Sequence, residues 1–172
     1  MNKKVPICIS AANRIINRTH AWNVYRVEEL GKPRIELASQ RLQKLLYLCA
    51  LLWYIDHEEC NMIPEDFQAW PTGPVIPEIY NYWPVYHDGD LLPLPNTNYI
   101  LNQEEENLIN IVVDNTINLD TGEIINYIFL YDKPWIEAYK NHQGVKSIIS
   151  KDSIKQYVHK EKSKIYKLKH PE

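Results

Sequence analysis

The sequence predicts a mainly α protein: a compact single-domain helical fold of about six or seven helices with a small β-ribbon. Three observations carry this expectation. Apolar residues recur at the i, i+3, i+4 spacing of a helix with one buried face. Paired capping residues stand ahead of two such stretches. The one alternating, strand-like segment, Phe67 to Trp70, is short and hemmed in by prolines. A chain of 172 residues is long enough to bury a core of its own.

The first helix is expected to start at Ser10 as its cap and to bury Ala12, Ile15, Ile16 and Thr19, with Trp22 one turn further. Gly31 and Pro33 stop it, as a left-handed glycine followed by proline commonly does. A break is expected near Asn23 to Arg26, because Val24, Tyr25 and Val27 are poor helix formers. The second helix spans roughly residues 38–56. Leu42, Leu45, Leu46, Cys49, Leu52 and Trp53 follow the helical spacing, and Leu48, Leu51 and Ile55 fill the other faces. A helix apolar nearly all round is packed on several sides, which makes this one the central helix.

Residues 62–77 change character, with Pro64, Pro71, Gly73, Pro74 and Pro77. Phe67 to Trp70 reads as a strand ending in a Pro-Thr-Gly-Pro turn, and Tyr99 to Leu101 is its expected partner strand. Pro77 fits the first turn of a short helix, where its missing N–H costs nothing. Asn102 with Glu105, and Asp120 with Glu123, are capping pairs. The first opens a helix burying Leu108, Ile109, Val112, Val113 and Thr116; the second opens one burying Ile124, Ile125, Ile128 and Phe129. Pro134 ends that helix and starts another short one carrying Trp135, Ala138 and Tyr139, which Gly144 closes. Ser150 caps a last helix with Ile154, Tyr157 and Val158 on its face. The expected organisation is a helical domain over residues 1–160 and a basic tail over 161–172.

Composition narrows the function classes. Three cysteines at no metal spacing suit a reduced, cytoplasmic protein. The apolar stretch after Lys4 is too short for a signal peptide, and the Leu45–Ile55 run falls short of the roughly 20 residues that span a membrane. From Lys151 onward seven lysines stand against Asp152, Glu161 and Glu172, a net of +4; the whole chain carries −3, so the remainder carries −7. Such asymmetry points to an acidic partner or to nucleic acid. With Tyr157 and Tyr166 among the lysines, a salt-dependent nucleic-acid contact that represses the protein's own operon is the weaker reading.

Catalytic signatures are missing. There is no phosphate-binding loop and no dinucleotide fingerprint, in a chain with only 5 glycines. The segment from His57 to Asn61 begins like a zincin helix but has Asn61 where the second histidine ligand belongs. His57 and Cys60 could form a nucleophile–base pair on a helix, yet Asn61 and Pro64 favour a polar helix end. No catalytic, cofactor or metal site is therefore expected. The chain holds 12 Tyr and 5 Trp against 2 Phe, and such amphipathic rings suit protein interfaces. The expected partner contacts are Tyr82, Trp83 and Tyr86, joined by the basic residues Lys155 and Lys162.

Three stretches read together resemble one family. They are Arg41 to Cys49 (R-L-Q-K-L-L-Y-L-C), Phe67 to Tyr80 (F-Q-A-W-P-T-G-P-V-I-P-E-I-Y), and Pro134 to Ala138 followed by Ile148-Ile149-Ser150. In this order they are similar to the Panacea domain of SocA-like antitoxins and phage-associated proteins, over about residues 10–160. The resemblance implies an antitoxin of a bacterial or prophage toxin–antitoxin pair, whose partner is a cognate toxin encoded next door. It also implies that a protease-adaptor role is open, and it transfers no catalytic site. The motif residues read as scaffold: Trp70 anchors the strand, Gly73 and Pro74 turn it, Pro77 starts the next helix and Tyr80 packs back. Trp135 anchors the penultimate helix. Gln43, as the polar motif residue on an apolar helix, is expected to hydrogen-bond the Thr72–Gly73 turn. Leu130 to Lys133 departs from the family's acidic and threonine–histidine element.

Overall fold

In the computed structural model of the chain, the described residues are 5–83, 90–95, 101–131, 133–141, 146–163 and 165, with backbone alone for 127–131 and 141. Among the described residues, six α-helices and one short three-stranded sheet make up a mainly α fold. In chain order these are α1 (Ile7–Glu28), α2 (Ser39–Trp53), β1 (Gln68–Trp70), β2 (Gly73–Val75), a 3-10 turn (Pro77–Asn81), α3 (Gln103–Thr116), α4 (Thr121–Tyr131), α5 (Lys133–Asn141), β3 (Ser147–Ile148) and α6 (Lys151–Lys160).

Helix α2 is the axis of the molecule. It packs against α1, α3, α4, α6 and β2, and every residue from Arg41 to Ile55 is buried. Its all-round apolar composition is thus matched by neighbours on every side. The core extends from Cys8 to Ile165; Ile165, in the segment assigned to the tail, is 1% exposed.

Helix α1 begins a turn earlier than its sequence suggests. Pro6 is its N-cap, and Ser10 lies inside the helix, buried, with no hydrogen-bond partner for Oγ among the described residues. The end is capped from a distance: Cys8 donates its amide to Glu65 Oε2 at 3.2 Å, a carboxylate placed where the helix dipole favours it. The helix then runs without a break through Asn23–Arg26 to Glu28. Gly31 adopts a left-handed φ of 59°, as glycine commonly does past a helix end; Leu30 N–H donates to Tyr25 O at 3.3 Å and Lys32 N–H to Arg26 O at 2.8 Å.

The capping pairs form as the sequence indicates. Asn102 accepts from Glu105 N at 2.9 Å and Glu105 accepts from Asn102 N at 2.8 Å. Asp120 and Glu123 do the same at 2.8 and 2.7 Å. Ser150 accepts from Ser153 N at 3.4 Å.

Strand β1 is the middle strand, in the order β2-β1-β3, with both pairings antiparallel. Gly73 pairs back to Trp70, so Pro71 and Thr72 form a two-residue hairpin loop. The other edge of β1 is taken by Ser147–Ile148 and not by the expected Tyr99–Leu101, whose Tyr99 and Ile100 lie outside the described residues. Ile149 continues the seam by donating to Phe67 O at 2.8 Å.

Extended segments are fastened to the helices by side-chain amides. Asn13 bonds both backbone groups of Leu94, accepting at 2.7 Å and donating at 3.3 Å. Asn23 does so with Ile35 at 2.7 and 2.9 Å, and Gln43 with Ile76 at 2.8 and 3.0 Å. Each amide satisfies an N–H and a C=O that no ladder reaches.

Candidate partner-binding site

The motif residues converge where the β1–β2 hairpin meets α2. Gln43 holds Ile76, three residues beyond the turn it was expected to bind. The turn itself is met by Lys44, which is fully buried and donates from Nζ to Pro74 O at 3.0 Å. Burial lowers the Lys44 ammonium to a pKa of about 7. Its stem explains Gly73: a Cβ there would lie 2.9 Å from Lys44 Cε, and the φ of 103° favours glycine.

Arg41, one turn earlier, is 2% exposed and donates to Thr116 O and Leu119 O, both at 2.8 Å. It closes the C-terminal end of α3, where a cation suits the dipole. Burial lowers its pKa, with Asp120 acting in the opposite sense. Gln43 is therefore one of four buried polar residues on α2, with Ser39, Arg41 and Lys44. Sequence reasoning missed Lys44 and Arg41, because a lone cation on a helix reads as solvated. Their signal was position: both lie in a stretch apolar on every face.

The remaining motif residues brace the hairpin. Trp70 is half-buried; its Nε1 donates to Gln68 Oε1 at 2.9 Å, and Lys146 Nζ stands 3.8 Å above its ring. Tyr80 lies 5.6 Å from that ring, centroid to centroid, and Pro77 opens the 3-10 turn carrying it. Trp135 donates from Nε1 to Trp70 O at 3.1 Å and stacks on Tyr139 at 5.2 Å.

The expected contact residues fall in different places. Tyr82 is 41% exposed. Trp83 is 4% exposed and donates to Leu92 O at 2.8 Å, so it is a core anchor and not a surface ring; its i−4 neighbour Ile79 is fully buried on the same side. Tyr86 lies outside the described residues, as do Lys164, Tyr166, Lys167 and Lys169 of the tail. Lys155 and Lys162 border a cleft of about 340 Å³ between the end of α2 and α6. Its lining includes the buried Tyr54, Ile55 and Val158 and the charged Glu58, Glu59, Lys155, Lys160 and Lys162. None of these five charges has an ion-pair partner among the described residues. Lys155 Nζ lies 5.6 Å from the Tyr54 ring. Burial, with Cys60 and Asp152 nearby, pushes the Tyr54 hydroxyl up to about 12, and that hydroxyl donates to Asn61 Oδ1.

His57 and Cys60 do not form a catalytic pair. The His57 ring stacks on Trp53 at 3.7 Å, with Nδ1 3.2 Å from Trp53 O and Nε2 3.0 Å from Glu104. Both ring nitrogens are thus occupied. Among the described residues no group of three or more His, Cys, Asp or Glu is arranged to hold a metal, and no helix is long and apolar enough to cross a membrane.

The sequence profile described as antitoxin SocA-like, Panacea domain matches residues 42–136. The chain belongs to this family. The match takes in α2, the hairpin, the 3-10 turn, α3, α4 and the start of α5, so it covers the corner built by Gln43, Lys44, Gly73 and Trp135. Helix α1 and helix α6, with its lysines, lie outside it. No match was found among the curated proteins, and none among the solved structures.

Proposed function

We propose that this protein is an antitoxin that binds a partner toxin, encoded beside it, and neutralises it by a direct protein–protein complex. The observation that carries this reading is the family match across the structural centre of the chain. Surfaces suited to a partner support it: Tyr82 is solvent-facing, and the α2–α6 cleft presents Lys155 and Lys162 without ion-pair partners among the described residues. A stable complex of this kind buries about 1,600 Å² in total, so these residues form part of a larger interface. The protein acts in the cytoplasm in this reading, without cofactor or metal.

The test is co-expression with the neighbouring open reading frame. Growth arrest by the neighbour alone, relieved when this protein is co-expressed and accompanied by co-purification, is the expected result. A neighbour that is harmless alone, or that stays toxic beside this protein, rules the reading out. A shortened half-life of the neighbour in the presence of this protein would instead mark delivery to a protease.

A further inference from the structure

We draw no further inference here: the strongest candidate, the solvent-facing side of the β1–β3 strand pair, where Lys146 stands over the half-buried Trp70 ring and Ile148 is exposed, is an unpartnered sheet face, and nothing in the structure shows what covers it.

Discussion

The Lys44 ammonium lies 3.0 Å from the Pro74 carbonyl oxygen, inside the protein and with no carboxylate beside it among the described residues. A carbonyl dipole is a weak partner for a desolvated charge, so the folded state favours the neutral amine.

This gives stability a pH dependence. Lys44 falls from an ordinary 10.5 to about 7 on folding, so between those values the unfolded chain binds the extra proton. Stability therefore rises with pH across this window, by at most about 1.4 kcal/mol per pH unit. Lys44→Met removes the titrating group and is expected to flatten that slope. Urea titrations of both proteins from pH 6.5 to 9 measure it, and parallel slopes would contradict it.

Gly73→Ala is expected to destabilise by about 2 kcal/mol, since it combines a positive φ with a clash against the Lys44 stem. In a Lys44→Ala background the clash has no partner and part of the penalty should vanish. A double-mutant cycle in thermal melts reads the difference.

Gln43→Leu leaves the buried N–H of Ile76 without a partner and its C=O with the Ile79 N–H alone. A loss of about 3 kcal/mol is expected. Hydrogen exchange at Ile76 should quicken well ahead of exchange in the centre of α2.

Arg41→Met removes the donors to Thr116 and Leu119 at the end of α3. About 3 kcal/mol is again expected. Lysine should restore only part of it, because one ammonium cannot reproduce the fork that serves both carbonyls.

Charge reversal of Lys155 and Lys162 tests the α2–α6 cleft. Lys162 is exposed and Lys155 half-buried, and neither has an ion-pair partner among the described residues, so Lys155→Glu with Lys162→Glu should leave the melting temperature within about 4 °C. Weaker capture of the neighbouring gene product in pull-downs is the expected effect.

Much of this architecture could be read from spacing. The leucine run from Leu42 to Leu52 announces α2, and the Asn102–Glu105 and Asp120–Glu123 pairs mark helix starts within one residue. These signals are local, which is why they survive without coordinates. What escaped reading is held by distant residues. The cap of α1 comes from Glu65, 57 positions away. The second neighbour of β1 is Ser147–Ile148, almost eighty residues downstream. The break expected at Val24 fails to occur because propensity is a weak force beside the packing of Asn23 and Arg26 on the inner face, where Arg26 reaches Pro33 O and Asn118. At the candidate site, Lys155 and Lys162 do meet at one cleft, while Trp83 turns inward to the carbonyl of Leu92. An aromatic run alone does not show which rings face water.

The three amides of Asn13, Asn23 and Gln43 work like buttons through a cloth. Each grips a single residue of a passing strand of chain, at Leu94, Ile35 and Ile76, and asks nothing of the residues on either side. The passing segments are thereby fixed at single points, outside the sheet and the helices. One scaffold can in this way carry differently tailored loops on fixed attachments.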